Sequence, residues 1–263
     1  DPRLFRPALR TGFSGRALLD GLDVLSGRHL RLAVQPVVSA RTRFPFFWEG
    51  LLRTEGQDGS IGGAGTVVPA LEAAGLIHHA DCRMLGLVLD HLAEAPEKRL
   101  SVNVSPASLG HPEWLATLAE RVGSRPDLAR RLIVEVTETA AFQDMEAARR
   151  VLDAIKGFGA GVAIDDFGAG HTSFRHLRDF PADIVKLDGA FVLNLARSPD
   201  DRYFVRTLID LAHHVGAKIV AEWVEDETCA AMLTGWGADF LQGHHCGPPV
   251  LVPAGARSDR LVA

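Results

Sequence analysis

The sequence predicts an α/β protein of the (β/α)8-barrel class with one antiparallel strand near its start. Three observations predict it. Eight short apolar runs rich in Val, Ile, Leu and Phe lie at Leu30–Val38, Phe46–Arg53, Leu100–Ser105, Leu132–Thr137, Gly161–Phe167, Ile184–Asp188, Lys218–Val224 and Ala238–Gly243. Their length and composition are those of buried parallel strands. Segments of helical spacing separate most of them, and strand after strand closes on a residue that is costly to bury. An open doubly wound sheet is the runner-up on alternation alone.

Residues 1–29 precede the first run and carry one amphipathic stretch, Leu18, Leu19, Leu22 and Leu25. They read as an N-terminal extension, either a linker helix from an upstream domain or a plug for the bottom of the barrel. The barrel domain is expected over 30–252, with a C-terminal tail at 253–263. Only seven residues, Ser39–Pro45, separate the first two runs, too few for a helical crossover, so these strands are expected to pair as an antiparallel hairpin. Thr54–Gly65 is Gly-rich and reads as a flexible loop. Farther on, Trp114, Leu115, Leu118 and Val122 form one helical stripe. Ala147, Val151, Leu152 and Ile155 form a second, and Phe204, Leu208, Leu211 and Ala212 a third. Stripes of this kind are core.

Composition bounds the function. The 263 residues carry 28 basic and 33 acidic side chains, a net charge of −5, with 47% hydrophobic and 23% charged residues. Such a chain buries a sizeable core, and its mild acidity argues against gripping duplex nucleic acid through phosphates. No run approaches the ~20 apolar residues of a membrane helix, and no basic, then apolar, then small-residue leader pattern is read within these residues. The chain starts at Asp1, so it reads as a piece of something longer, with any anchor or sensor upstream. Cys82, Cys229 and Cys246 are far apart, with no CxxC. Ordinary thiols in a reducing cytoplasm are expected.

The chemistry is carried by the run ends. The second run holds Glu49, the third Asn103, the fourth Glu135 and Glu138, and the fifth Asp165 and Asp166. The sixth holds Lys186 and Asp188, the seventh Glu222 and Glu225, and the eighth Gln242. In a parallel barrel all strand C-termini open on one face, so these residues converge on one pocket. Four or more carboxylates there repel one another unless protons or cations neutralise them. One lysine does not suffice, whereas two hard divalent ions would. Oxygen donors without Cys or His suit Mg²⁺, Mn²⁺ or Ca²⁺ over zinc. Asp165 and Asp166 are adjacent and would face opposite sides of a regular strand. Gly168 and Gly170 just beyond let the backbone turn, so that both could bridge two metals and serve phosphoryl displacement. Lys186 is one of four lysines against 24 arginines and sits in an apolar strand, which marks it as a site residue. Arg53, just past Glu49, suits a phosphate oxygen or an exposed loop equally. An unrelated Mg²⁺-dependent barrel using Lys186 as a base is an alternative that leaves Gln35 and Arg53 without a role.

Taken in order, Gln35-Pro36-Val37, Glu49-Gly50-Leu51-Leu52-Arg53, Ser101-Val102-Asn103-Val104-Ser105-Pro106 and Glu135-Val136-Thr137-Glu138 are followed by Asp165-Asp166-Phe167-Gly168-Ala169-Gly170. Val185-Lys186-Leu187-Asp188, Ala221-Glu222-Trp223-Val224-Glu225 and Gln242-Gly243 complete the series. From about Leu30 to Pro249 the chain resembles the EAL domain family, the cyclic di-GMP-specific phosphodiesterases of bacterial signalling. The resemblance implies an EAL-type barrel and hydrolysis of one phosphodiester of cyclic di-GMP to linear pGpG. It places Glu49, Asn103, Glu135, Asp165, Asp166 and Glu222 on two metal ions, Mg²⁺ or Mn²⁺, with Ca²⁺ inhibitory. Lys186 and Gln242 would position the attacking water, and Glu138 would hold the loop after Asp166. Gln35, Leu51, Arg53, Asp188 and Glu225 would bind the dinucleotide. It further implies a homodimer through the barrel, an upstream sensory or regulatory domain, and a cytoplasmic location.

Six residues at four places depart from the family pattern. Gly50 stands for alanine and is expected only to loosen the backbone, by ~1 kcal/mol. Trp223 stands for glycine and could narrow the pocket or point outward. His171-Thr172 replaces Tyr-Ser in a regulatory loop, and His244-His245 replaces an aromatic. None removes a metal ligand or the lysine. That favours the enzyme, while Trp223 and the altered loop keep a silent receptor that binds cyclic di-GMP and signals to a protein partner as the alternative function.

Other signals are discounted. Gly157-Phe158-Gly159-Ala160-Gly161 precedes a strand rather than following one, so it reads as a helix C-cap and loop. The His pairs at 78–79, 213–214 and 244–245 are expected to point apart, on surfaces or caps, rather than to bind zinc. His171 and His244 remain minor candidates at the pocket mouth. The sequon at Asn103 points into the barrel, and the arginine pairs 130–131 and 149–150 read as solvated faces.

Overall fold

The computed structural model describes residues 30–56, 58–168, 177–178, 180 and 182–253. The expectations for 1–29, for the His171-Thr172 loop and for all but the first residue of the tail lie outside them. The described strands are β1 (Leu30–Ser39), β2 (Pro45–Glu55), β3 (Ile61–Gly63), β4 (Leu100–Val104) and β5 (Leu132–Thr137). They continue as β6 (Gly161–Phe167), β7 (Ile184–Leu187), β8 (Lys218–Ala221), β9 (Phe240–Leu241) and β10 (Val250–Leu251). The helices are α1 (Val67–Ala73), α2 (Ile77–Glu94), α3 (Pro106–Leu109), α4 (Pro112–Val122) and α5 (Pro126–Ala129). Then come α6 (Glu138–Gln143), α7 (Met145–Gly157), α8 (Gly189–Leu193), α9 (Pro199–His214) and α10 (Glu227–Gly235).

Eight strands close a barrel in the order β1-β2-β4-β5-β6-β7-β8-β9, with β9 returning to β1. Every neighbouring pair is parallel except those of β1, which runs antiparallel to both β2 and β9. The short Ser39–Pro45 connection dictates this, as the sequence led us to expect. The open sheet is excluded by the β1–β9 pairing.

Three local readings are corrected. Thr54–Gly65 is not a plain loop: β2 runs on to Glu55, and β3 returns antiparallel along Arg53–Glu55. The seventh and eighth strands stop earlier than their apolar runs. Trp223 adopts a left-handed φ of 52° and Gly243 a φ of 154°, which take the chain off the ladder. Arg131 is not on a solvated face. Its Nη1 donates to the carbonyls of Leu92 (2.8 Å), Ala95 (3.0 Å) and Lys98 (3.1 Å), closing the C-terminal end of α2.

Helix starts follow from sequence. Pro opens α3, α4, α5 and α9, where its missing N–H is not needed. Asp144, Ser198 and Asp226 accept a backbone N–H of the first turn of α7, α9 and α10. The helices bury one stripe against the outside of the barrel, with Trp114, Leu118 and Val122 of α4 in that layer.

Inside the barrel lies a separate apolar layer of Val37, Phe47, Ile133, Ala163, Ile184, Val220 and Phe240. Every parallel strand that supplies one of these residues carries a polar residue two positions later, on the same face. The pairs are Phe47 and Glu49, Ile133 and Glu135, Ala163 and Asp165, Ile184 and Lys186, Val220 and Glu222, and Phe240 and Gln242. In β1 the chain runs the other way, and its polar residue, Gln35, comes two positions before Val37. The apolar layer is the floor of the pocket, and the polar layer stands on it.

Candidate active site

Lys186 is at the centre, 1% exposed. Its Nζ lies 2.7 Å from Glu135 Oε2, 2.8 Å from Glu222 Oε1, 3.1 Å from Asp165 Oδ1 and 3.3 Å from Glu49 Oε2. Asn103 Nδ2 donates to Glu49 Oε1 at 2.8 Å, and Gln242 Nε2 donates to Glu49 Oε2 at 2.6 Å. Gln242 Nε2 also reaches Gln35 Oε1 at 3.3 Å, and Gln35 Nε2 donates to the Gly247 carbonyl at 3.1 Å. The residues expected on the metals and the water thus meet in one pocket.

Asp166 joins them through its backbone. Its φ is 54°, and the β6–β7 register shifts between Ile164 and Phe167. This bulge carries a residue that would otherwise face the helices to the same side as Asp165. Two triads of ligand atoms result, each within 4.8 Å of one another: Glu49, Glu135 and Asp165, and Asp165, Asp166 and Glu222. Asp165 is common to both.

The charges are strained. Burial pushes the Glu135 carboxyl up to about 8, and Glu49 and Asp165 add to it against Lys186. Burial likewise pushes Glu222 up to about 8, with Asp165 and Glu49 adding to it against Lys186. Asp166 is raised by burial and then by Asp165 and Asp188. Glu49 goes the other way. Burial opposes its charge, but Lys186 and the Gln242 and Asn103 hydrogen bonds hold its carboxyl below the usual range. Burial also works against the Lys186 ammonium, which Asp165, Glu135, Glu222 and Glu49 nevertheless hold well above the ordinary lysine range. An ammonium held in this way donates hydrogen bonds to the carboxylates about it.

The donor set fits divalent cations. It is all oxygen, it carries more negative charge than one ammonium balances, and two of its carboxyls resist ionising without further positive charge. Glu135 Oε1 is buried with no hydrogen-bond partner among the described residues.

The remaining expected residues lie around this centre. Glu138, buried at the start of α6, accepts the Gly168 N–H at 2.7 Å and so ties down the beginning of the loop after Asp166. Leu51 and Arg53 follow Glu49 on the same face of β2, and Arg53 turns its Nη1 back to the Leu52 carbonyl at 2.9 Å. Asp188 caps α8 through the Ala190 N–H at 2.7 Å. Glu225 does not join the cluster: it is exposed and pairs with His244 Nδ1 at 3.0 Å.

Trp223 is half-exposed and lies against Gly189, where an added methyl would overlap its indole. With Leu193 and Met232 it lines a surface cavity of about 380 Å³ rather than the carboxylate pocket. Two features escaped the sequence. Asp81 of α2 is buried and accepts the Ser105 N–H at 2.9 Å, bracing the turn that leaves β4 just after Asn103. The His78 and His79 rings do not point apart. Their centroids are 3.9 Å apart, and both rings face Glu113. A polar residue on the apolar face of α2 was a usable signal for Asp81; nothing in the spacing marked Glu113.

A sequence profile described as the EAL domain matches residues 16–249. The chain is 29% identical over 231 residues to cyclic di-GMP phosphodiesterase PdeF of Escherichia coli, covering 86% of this chain and 31% of that protein. It is 32% identical over 240 residues to bifunctional diguanylate cyclase/cyclic di-GMP phosphodiesterase MucR of Pseudomonas aeruginosa, covering 89% of this chain and 35% of that protein. It thus spans about a third of the length of these relatives. A solved structure of the PaMucR phosphodiesterase in complex with c-di-GMP superposes with a TM-score of 0.82 at 31% identity, covering 89% of this chain and 97% of that one.

Proposed function

Because the chain belongs to the EAL domain family, we propose that it hydrolyses one phosphodiester of cyclic di-GMP to linear pGpG with the help of two divalent cations. The observation that carries the reading is the pair of carboxylate triads sharing Asp165, with Lys186 against both. Glu49, Asn103, Glu135, Asp165, Asp166 and Glu222 would hold the ions, Mg²⁺ or Mn²⁺. Bound there, the cations would supply Lewis acidity toward the phosphate.

The chain's own residues do the rest. Lys186 holds its ammonium at the centre and donates to the oxygens about it. Gln242 and Asn103 fix both oxygens of Glu49, so that this carboxylate keeps one orientation. Gln242 Oε1 is buried without a partner among the described residues and can accept a hydrogen bond from the attacking water. Gln35 is held by Gln242 and Gly247 on the antiparallel β1, and with Leu51 and Arg53 it offers the dinucleotide a wall. Glu138 anchors the first residue of the loop after Asp166. Asp188 and Glu225 would bind at the edge of the site.

The testing experiment is incubation with cyclic di-GMP plus Mg²⁺, Mn²⁺ or chelator, followed by chromatography of the nucleotides. Metal-dependent pGpG is expected. Intact cyclic di-GMP that binds without metal would make the domain a receptor, and absence of binding would remove the ligand assignment. Assembly as a homodimer through the barrel and attachment to an upstream regulatory domain belong to the same proposal. Light scattering that gives a strict monomer at high concentration would overturn the dimer. No described helix is long and apolar enough to cross a membrane.

A further inference from the structure

The second cluster of metal-competent side chains shares no residue with the carboxylate pocket. His78 and His79 stand in the first turn of α2, His111 is the N-cap of α4, and Glu113 is in the first turn of α4. The His78 ring stacks on His111 at a centroid distance of 4.0 Å and meets His79 at 3.9 Å. Glu113 reaches both members of the pair, Oε2 at 3.6 Å from His78 Nε2 and Oε1 at 3.8 Å from His79 Nδ1. One ligand atom from each of His78, His111 and Glu113 falls within 4.8 Å of the others. Three imidazoles and a carboxylate from two helix starts have no packing need to converge, since His79 and Glu113 are exposed and His78 and His111 only half-buried.

We propose that His78, His111 and Glu113 form a binding site for a borderline divalent cation, Zn²⁺ in the first instance, with His79 as the adjacent fourth donor. Imidazole nitrogen selects Zn²⁺, Cu²⁺ or Ni²⁺, whereas the all-oxygen pocket suits Mg²⁺ and Mn²⁺. The two sites therefore differ in the metal they prefer. Tetrahedral zinc with bonds of about 2.0 Å places its ligands about 3.3 Å apart, so atoms now within 4.8 Å of one another must close by up to about 1.5 Å. Side chains on exposed first turns have room to do so.

The His111 Nδ1 now accepts the Glu113 N–H at 3.3 Å, a long bond in an exposed place. If His111 ligates through that nitrogen, the N–H turns to water at little cost. Glu113 supplies the negative charge that a dication between two helix N-termini requires. Asp81, one turn along α2 from His78, holds the Ser105 N–H at 2.9 Å. A cation joining His78 to His111 would thus be a second clip between α2 and the segment that follows Asn103.

The test is independent of the cyclic di-GMP reading. Zn²⁺ is titrated into the domain at saturating Mg²⁺, and bound zinc is measured by equilibrium dialysis and metal analysis. About one equivalent per chain is expected, retained in Asp165→Asn, where both carboxylate triads lose their shared ligand. The same equivalent is lost in His111→Ala and in Glu113→Gln. Co²⁺ in the same site gives the absorption of tetrahedral nitrogen coordination, present in Asp165→Asn and absent in His111→Ala. Circular dichroism checks each variant's fold, and His78→Gln replaces any that fails to fold. Zinc still bound at full stoichiometry in a folded His111→Ala overturns the inference, as does loss of all bound zinc in Asp165→Asn.

Discussion

Replacing Lys186 with Met removes one positive charge and leaves a side chain of similar length against the floor residue Ile184. Four carboxylate oxygens then face one another, all of them previously within 3.3 Å of the Nζ. Removing one partner from a buried ionic group costs about 3–5 kcal/mol. For a domain of this size each kcal/mol moves the Tm by about 2–4 °C, so a loss of about 6–20 °C is expected in chelator. The loss depends on pH with a definite sign. Protonated Glu135 and Glu222 do not need the ammonium, whereas ionised Glu49 still does, so the deficit is smaller at pH 5.5 and larger at pH 8.5, above the values of about 8 that Glu135 and Glu222 reach beside Lys186. On the proposed two-cation reading, Mg²⁺ or Mn²⁺ would supply the missing positive charge. At about 100 times its Kd a cation adds ~2.7 kcal/mol, so the variant regains a good part of its Tm while cyclic di-GMP turnover stays lost. Differential scanning fluorimetry with and without metal at the two pH values reads all of this. A Lys186→Met protein within ~2 °C of the parent in chelator at pH 8.5 would refute the electrostatic account of the pocket.

Three further outcomes follow from the same geometry. In the metal-free protein, Glu135 and Glu222 have folded values near 8 against 4.5 unfolded, so their contribution is complete below 4.5 and lost as pH rises through 8. Glu49, held low, loses its contribution only as pH falls below its ordinary value. The metal-free Tm should therefore fall between about pH 4.5 and 8, the unfolded and folded values, and Mg²⁺ should flatten the decline; a Tm that rises over that range contradicts it. Gly50→Ala restores the commoner Glu-Ala-Leu signature, yet the added methyl would lie 2.7 Å from the Ser101 carbonyl and 2.9 Å from Val88 Cγ2. Chemical denaturation should show a loss of about 1–3 kcal/mol, and a stabilised variant would show that the strands separate freely there. Gly189→Ala drives a methyl into the Trp223 indole. Trp223→Gly should rescue it, with a coupling of about 0.5 kcal/mol or more in a double-mutant cycle, and strict additivity would remove the contact.

What the sequence discloses and what it withholds divide along a physical line. Strand-end residues were legible because a strand has period two. Once Phe47, Ile133, Ala163, Ile184, Val220 and Phe240 form a floor, the residues two along must stand above it. The same rule with its sign reversed places Gln35 before Val37, because β1 runs backwards. Hidden features depend on contacts between distant segments or on single dihedral angles. Gly50 read as a mere loosening of β2, whereas the close approach of β4 makes a side chain there costly. Trp223 left two orientations open until its φ of 52° turned the indole over Gly189, away from the carboxylates. Glu225 had the spacing of a site residue, and its exposed carboxylate pairs with His244 outside the carboxylate cluster. The His78, His111 and Glu113 group joins two helix starts that only the folded chain brings together.

Charge counting connects the left-handed Asp166 to the number of cations. Glu49, Glu135, Asp165, Asp166 and Glu222 carry five negative charges when ionised, and Lys186 returns one. Four remain, the charge of two divalent ions. Without Asp166 the balance would be odd and the second triad would not exist. Its φ of 54° in the β6 bulge is thus a strain, of about 1–2 kcal/mol for a non-glycine residue, that completes the second set of ligands. A domain that only bound a nucleotide would gain stability by shedding these carboxylates, because each adds repulsion and burial cost to a pocket one lysine cannot neutralise. Retaining all five, with the backbone bent to bring in the last, is the arrangement expected where cations complete the site, and it favours hydrolysis over silent binding.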